Sequence, residues 1–520
     1  MLQRLAWLSY KRPYLWAFVL GAIYPLGLAP LAWWPLLFVS IAGLNFLFLR
    51  YQSERLATIA YCYGLGFFAV GASWVHVSIH QFGNAPLLMS VFLTALFVAF
   101  LAVFKLFIGL GLRWLFQRYG VVAIQYGFPL LWLAMDGALA NFFTGFPWLF
   151  AGYGLVDSPF AEVIAWVGVY GASFWVALVA SQMAWIVYVL AKNRPSFQYL
   201  TLPLVGLILP IVAILILVNT FRPSETPGQL KSFVLVQPNI PQQDKWKREL
   251  LGQHLQLYQD LTLEHLGSDF VIWPEAAVPE LKHRVSNWLD QWDRLARERG
   301  SQMILGIPIY QPETRKIYAS LITLGNTQQR YDKQHLVPFG EFVPFESWLR
   351  GLIEFFNLPM SAMAPGAKNQ VAFEFDDTRV LPAICYEIAY SEVFFEFLKN
   401  YENQKDSFIL TVSNDAWFGR SWGPHQHLQI AQSRALEFGM PVIRATNNGI
   451  TAIINLHGQR VAQIKQFQRG VLNDQIELTN RLTFYLKMPL IMVSVFVIFG
   501  MLCYVVFFQN SLKNKALNEV

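Results

Sequence analysis

Eight stretches of this chain are apolar for roughly twenty residues each, near 14–30, 33–49, 57–78, 87–112, 120–140, 164–190, 199–220 and 486–508. That length is what a helix needs to cross a bilayer. In hydrocarbon every backbone polar group must be satisfied within its own segment, so these stretches are expected to be transmembrane helices. Pro25, Pro30 and Pro35 interrupt the first two and soften their boundaries. The first stretch lacks a small-residue cleavage site, so it is expected to be a retained anchor rather than a cleaved signal.

Charge divides the chain in the same way. Only 14% of residues are charged, against about a quarter in soluble proteins. Residues 1–221 hold ten Lys/Arg and four acids, so 58 of the 72 charges lie in 222–520. This predicts a seven-helix membrane domain over 1–221, a water-soluble domain over 222–485, and an eighth helix with a tail over 486–520. Arg4, Lys11, Arg12, Arg50, Arg55, Arg113, Arg118, Lys192, Arg194, Lys513 and Lys515 all flank the spans on one side. The alternate connections near 31–32, 79–86 and 141–163 contain no Lys or Arg. The positive-inside rule makes the basic side cytoplasmic, with both termini inside and the soluble domain outside. In a bacterium that is an inner-membrane protein with a periplasmic domain. The net charge of +6 is thereby explained without nucleic acid, since no basic stripe interleaved with aromatics occurs in the soluble part.

Lys105 and Asp136 fall inside spans, where ionisable residues are paired or functional; a structural role is expected, with a mutual pair as one form of it. Gly64, Gly66, Gly71, Gly109 and Gly111 are candidates for close helix packing. The outside connections are rich in aromatics, among them Trp74, Phe82, Phe146 and Trp148, which suit either an interfacial belt or a lipid-binding mouth.

In the soluble part, strand-like runs at 233–237, 270–273, 303–307, 319–323, 379–385, 407–413, 441–445 and 451–456 alternate with helical stretches at 247–266, 284–299, 391–400 and 425–438. This predicts a layered α/β domain with a buried sheet. Three stretches end strands with chemistry: Trp273-Pro274-Glu275, Tyr331-Asp332-Lys333, and Ile384-Cys385-Tyr386-Glu387. A thiol must lose its proton to attack a carbonyl. A carboxylate can take that proton and return it to a leaving group. An ammonium can stabilise the thiolate and the oxyanion. Cys385 is the sole cysteine of the soluble part; Cys62 and Cys503 lie in apolar spans, and no CxxC spacing suggests a metal. His425 and His427, at i and i+2, do not share a helix face, so no metal is assigned and no cofactor is expected.

The motifs Ile272-Trp273-Pro274-Glu275, Tyr331-Asp332-Lys333-x-His335-Leu336-Val337-Pro338-Phe339-Gly340-Glu341 and Ile384-Cys385-Tyr386-Glu387 together resemble the nitrilase superfamily over about 230–475. Within it, Gln237-Pro238-Asn239-Ile240-Pro241-Gln242, Ser413-Asn414-Asp415-Ala416-Trp417-Phe418 and Gly145-Phe146-Pro147-Trp148, with the seven-plus-one membrane layout, resemble the bacterial apolipoprotein N-acyltransferases over nearly the whole chain. Pro238 departs from the pattern, where glycine is expected. The resemblance implies a nitrilase-like αββα sandwich inserted between the seventh and eighth helices of an eight-helix bundle. It implies Cys385 as nucleophile, Glu275 as general base and acid, and Lys333 as oxyanion stabiliser. Glu341 and Glu387 are then either carboxylates that orient Lys333 or the attacking amine, or struts to Lys333 or Arg444. Tyr386 supplies a backbone N–H for the oxyanion, and His335 fixes the lysine loop. Trp246 and Trp417 are pocket aromatics or core, and Trp148 is a further substrate-binding candidate.

The implied reaction moves an acyl chain from a phospholipid, phosphatidylethanolamine being expected, through a Cys385 thioester to the α-amino group of a diacylglyceryl-cysteine apolipoprotein. The protein is expected to be a monomer in the bilayer. An apolar stretch at 352–363 is expected to form a lid or arm at the interface. The alternative is a membrane-bound nitrilase-type amidase or hydrolase, which would leave eight spans and the arm without purpose. A transporter would call for more intramembrane charges and an internal repeat.

Overall fold

The structure, a computed structural model, describes residues 12–192 except 53 and 84, most of 204–220, 224–342, 363–398 and 405–487. The arm at 352–362 and the eighth apolar stretch lie outside the described residues. The chain forms two compact units: 1–73 with 91–223 and 483–520, and 74–90 with 224–482.

The first unit is helical. Among the described residues three helices are long and apolar enough to cross a membrane, Leu87–Tyr119, Val121–Asn141 and Glu162–Ala191, and a bent pair, Leu56–Gly71 with Val75–Phe82, makes a fourth if counted as one span. The stretches with prolines give shorter helices: Pro13–Ile23, continued by a 3₁₀ turn over Tyr24–Gly27, and Pro35–Tyr51. Leu56–Gly71 adds sixteen helical residues. Phe92, Leu96, Phe100, Phe107 and Trp114 of the longest helix are about half exposed, an apolar face suited to lipid. Lys105 and Asp136 pair at 3.2 Å, both buried, and the Lys105 ammonium sits 3.7 Å over the Trp132 ring. Each member removes the cost of burying the other.

Glycine sets the helix spacing. A Cβ on Gly66 would stand 2.0 Å from the Phe18 carbonyl oxygen, and one on Gly21 would stand 2.0 Å from that of Tyr63. The helices Pro13–Ile23 and Leu56–Gly71 therefore touch backbone to backbone. Gly64, Gly71, Gly109 and Gly111 are also crowded, at 2.4 to 2.9 Å from neighbouring atoms.

Among the described residues the second unit holds fourteen strands. β1 (Glu225–Thr226) pairs with β14 (Asn480–Arg481). The first large sheet runs β13 (Gly470–Glu477), β2 (Leu230–Gln237), β3 (Phe270–Ile272), β4 (Gln302–Gln311), β5 (Lys316–Leu324), β6 (Arg330–Asp332). The second runs β12 (Arg460–Ile464), β11 (Thr451–Ile454), β10 (Val442–Thr446), β9 (Asp406–Ser413), β8 (Thr378–Ile384), β7 (Phe373–Glu374). The period of two decides which face each residue serves. Phe233 and Phe270 meet Phe408 of the other sheet, with ring centroids 5.1 and 5.2 Å apart. Their neighbours Val234, Val271 and Trp273 pack outward on Tyr258, Leu289 and Trp292 of the helices Leu251–Thr262 and Ser286–Arg299. The helices Ser391–Leu398 and Gly423–Phe438 accompany the second sheet, Phe394 against Phe438 at 5.3 Å. The layers are helix, sheet, sheet, helix.

Several strands escape the sequence pattern. β12 and the middle of β13 are exposed edges, so Asn473-Asp474-Gln475 carries no apolar alternation. The helix expected at 247–266 shortens to Leu251–Thr262 between 3₁₀ turns.

Gly66→Ala is expected to lower stability by about 1–3 kcal/mol, because its methyl has no space. Gly137→Ala is the control: nothing lies within 4 Å of its Cβ position. There alanine gains up to about 1 kcal/mol of helix propensity. Melting of the purified protein in detergent measures both; equal melting temperatures would rule out close packing at Gly66.

Candidate active site

Cys385 follows directly on β8, and its backbone is left-handed at φ +54. A non-glycine residue there is strained and persists only where its surroundings over-determine it. Two contacts do so. The Ile384 N–H donates to Glu387 Oε2 at 2.7 Å, and the Cys385 carbonyl lies 3.1 Å from His427 Nε2. Pro382, inside β8, explains the first. β7 pairs with β8 only at Val380 and Arg379. Beyond that point Pro382 needs no ladder partner, and the next N–H of the same parity, Ile384, is capped by a side chain.

Glu387 is fully occupied by this task. Its Oε1 accepts from the Tyr331 hydroxyl at 3.0 Å and from the N–H groups of Gln334 at 2.5 Å and His335 at 3.2 Å. It ties the cysteine turn to the lysine loop. Burial pushes its carboxyl up to about 7, opposed by the Ile384 and Gln334 N–H donors. Arg444, a possible partner on sequence grounds, pairs instead with Asp415 at 2.6 Å.

Lys333 follows β6 and is buried. Its Nζ lies 3.0 Å from Glu275 Oε1 and 2.7 Å from Glu341 Oε1. Burial alone would lower the lysine, but Glu275 and Glu341 outweigh it and hold the ammonium well above its ordinary value. Burial raises the Glu341 carboxyl, while Lys333 opposes this. Both carboxylates are anchored by backbone: Asn414 N–H to Glu275 Oε2 at 2.9 Å, and Val337 N–H to Glu341 Oε2 at 2.8 Å. Gly306 of β4 lets the Glu275 turn come close, since a Cβ there would be 2.5 Å from the Ala276 nitrogen. Burial pushes the Cys385 thiol up; Glu275 adds to this and Lys333 offsets part of it. A thiol held up in this way needs a nearby base to become a thiolate.

A second buried network holds the cysteine from behind. Asp415 accepts from Ser413 Oγ at 2.5 Å, sits 3.0 Å from His427 Nδ1, and is paired with Arg444. Burial would raise Asp415, but Arg444 and His427 outweigh it and hold the carboxyl well below the ordinary range. His427 thus serves the cysteine backbone, a role its lone position in the sequence does not reveal. Asn447 joins Asn414 and Ile240, with side-chain contacts of 2.8 to 3.0 Å. Lys245 was also not signalled, although it precedes Trp246; its Nζ donates to the Glu275 carbonyl at 3.0 Å.

The aromatic candidates separate. Trp246 lines a cavity with Glu275, Ala276, Ile307, Leu321 and Met363, and its buried indole N–H has no protein partner among the described residues. Trp417 packs on Phe82 at 5.4 Å, and its carbonyl accepts from Ser78 Oγ at 2.7 Å, both in the 74–90 segment of the same unit. Trp148 belongs to the helical unit, buried and stacked on Phe146. The Tyr386 ring packs on Tyr390, which stacks on His335 at 4.1 Å.

Two six-stranded sheets with glutamate, lysine and cysteine at strand ends define a domain of the carbon–nitrogen hydrolase class, and the model of that family matches residues 235–481. A second model, described as the apolipoprotein N-acyltransferase N-terminal domain, matches residues 20–182. Apolipoprotein N-acyltransferase of Pseudomonas syringae pv. tomato is 40% identical over 90% of this chain and 92% of its own. That of Azotobacter vinelandii is 41% identical over 91% and 90%, and that of Vibrio cholerae is 40% identical over 91% and 93%. A nitrilase-superfamily structure from Saccharomyces cerevisiae aligns at 16% identity over 48% of this chain and 90% of that one, with a TM-score of 0.36. The chain belongs to the apolipoprotein N-acyltransferase family.

Glu387→Gln is expected to destabilise the protein by about 1–3 kcal/mol, because an amide cannot accept at both ends from these four donors. Thermal melting alongside wild type checks this; unchanged melting would show that the four contacts do not hold the turn.

Proposed function

We propose that this chain transfers a fatty acyl group from a phospholipid to the α-amino group of the diacylglyceryl-cysteine at the N-terminus of apolipoproteins. The observation that carries the reading is the buried Glu275–Lys333–Glu341 cluster beside the strained turn of Cys385, in a chain whose family bears this activity in its name. Cys385 is the nucleophile. Its proton passes to Glu275 as the sulfur attacks the ester carbonyl and a C–S bond forms. Lys333 and the Tyr386 N–H stabilise the oxyanion. Collapse breaks the C–O bond, and Glu275 returns the proton to the departing lyso-phospholipid. The neutral amine then attacks the thioester and Glu275 takes its proton. Collapse breaks the C–S bond, and the proton returns to the thiolate. Glu341 fixes Lys333.

Phosphatidylethanolamine is the proposed donor, and the protein is proposed to act as a monomer. The proposed layout is a membrane domain over 1–221, a periplasmic catalytic domain over 222–485, and a last helix and tail over 486–520, giving eight spans with both termini cytoplasmic. Charge asymmetry of the connections supports it. Trp246 is the favoured substrate-binding aromatic, because it lines the cavity beside Glu275. Trp417 and Trp148 serve packing in this reading. The arm at 352–363 is proposed as a lid that keeps water from the thioester. A nitrilase-type hydrolase would use the same groups with water as acceptor; the names of the full-length relatives disfavour it.

Intact-mass measurement after mixing the purified protein with phosphatidylethanolamine vesicles is expected to reveal a fatty-acyl adduct on wild type and none on Cys385→Ala. The adduct should persist in water and discharge when a diacylglyceryl-cysteine peptide is added. Immediate release of free fatty acid without peptide would support the hydrolase. No adduct with any phospholipid would end the thioester reading.

A further inference from the structure

Lys333 is shared by two carboxylates, which leaves that buried cluster one negative charge in excess when both are ionised. Such an excess opposes both a carboxylate base and a thiolate. A second ammonium lies in the same interior. Lys245 closes the short helix Gln242–Lys245 that follows β2, and only 1% of it is exposed. Pro241 starts this turn, and the Lys245 N–H bonds the Pro241 carbonyl at 3.1 Å. Its Nζ reaches the main chain of the catalytic glutamate, donating to the Glu275 carbonyl at 3.0 Å. Among the described residues it forms no carboxylate ion pair. A buried lysine without one is costly unless a field of opposite sign surrounds it. Glu275 supplies that field, and Cys385 adds to it once its sulfur is ionised.

We propose that Lys245 is a positioning residue of the acylation step, pinning the Glu275 backbone and supplying a positive charge beside the carboxylate that takes the Cys385 proton. The two carboxylates Glu275 and Glu341 and the two ammoniums Lys333 and Lys245 sum to zero. Without Lys245 the thiol proton would move to Glu275 beside a net negative charge, which opposes formation of the thiolate. The groups that face Lys245 are Glu275 from the turn after β3 and Cys385 from the turn after β8, with Lys333 and Glu341 beyond Glu275. On its own turn Asp244 is paired outward with Lys247 at 2.7 Å. The Asp244 carbonyl lies 3.1 Å from His254 Nε2. Burial brings the Lys245 ammonium down to about 8, with Glu275 and Cys385 opposing. The charge is therefore present at neutral pH and is lost as pH rises through that value.

The inference rests on Glu275 being the base for Cys385, and the test separates the two. The rate of acyl-adduct formation is followed by intact mass in full-length protein with phosphatidylethanolamine vesicles across acidic to alkaline pH. In Lys245→Met the acidic limb should move up by about one pH unit, and the rate at neutral pH should fall about tenfold. In Lys245→Arg the neutral rate should stay within a few-fold of wild type and the alkaline decline should move to higher pH, because a guanidinium does not deprotonate there. A role in folding alone would lower melting temperature and active fraction in both variants while leaving the profile where it is; that result overturns the proposal. If Lys245→Met does not fold, an unmoved alkaline limb in Lys245→Arg overturns it by itself. If wild type forms no adduct, the base assignment fails instead.

Discussion

An ammonium buried between two carboxylates is the constraint on which the catalytic unit depends. A lysine taken out of water with no partners is unstable by several kcal/mol. Lys333 is tolerable only because Glu275 and Glu341 arrive from other parts of the chain. Glu275 comes from the turn after β3 in the first sheet, and its second oxygen is held by Asn414, which follows β9 in the second. The cluster can form only with both sheets in register. The aromatic contacts of Phe233, Phe270 and Phe408 supply that registration from the sandwich interior. Removing one partner leaves a buried charge uncompensated, so the site and the sheet-to-sheet packing are coupled.

The cysteine is held by a different economy of contacts. Its turn is strained, and the strain is balanced by groups that never approach the sulfur as reagents. Glu387 gathers donors from β8, from the Tyr331 side chain and from the loop after Lys333, so the Cys385 turn and the Lys333 loop share one brace. His427, backed by Asp415 and Arg444, holds the cysteine carbonyl. The hydrogen bonds of these braces tie the surroundings of the thiol together.

The sequence made much of this legible, for physical reasons. Buried strands such as β2, β4 and β9 are continuous apolar runs, and apolar helices carry their own length signal. Glu275, Lys333 and Cys385 stand out through the motifs around them and their resemblance as a trio, since a lone Glu or Lys at a strand end is usually just solvated. Glu341 was visible as an acid in the lysine loop, yet whether it braced Lys333 or met the amine was not. Lys245, Asn414, Asp415 and His427 were opaque as to role. Their partners lie 30, 139, 29 and 42 residues away, at Glu275, Glu275, Arg444 and Cys385, and no local pattern encodes such pairings. Edge strands β12 and β13 failed for the opposite reason: exposed on one face or both, they need no apolar alternation.

Neutrality of the charged interior has a consequence for what the site can accept. The cavity beside Glu275 is walled by Ala276, Ile307, Leu321, Met363 and Val412, with Trp246 at its side. An apolar wall next to an unbalanced charge would draw water to solvate it. With Lys333 set against two carboxylates, and Lys245 completing the set, the charges satisfy one another and the wall can stay dry. An apolar wall that holds no unbalanced charge beside it favours keeping water from a thioester. Among the described residues the buried Trp246 indole N–H has no protein partner. On this argument, lipid specificity and charge balance are one property: the pairing that allows Lys333 to be buried also allows the neighbouring surface to remain apolar.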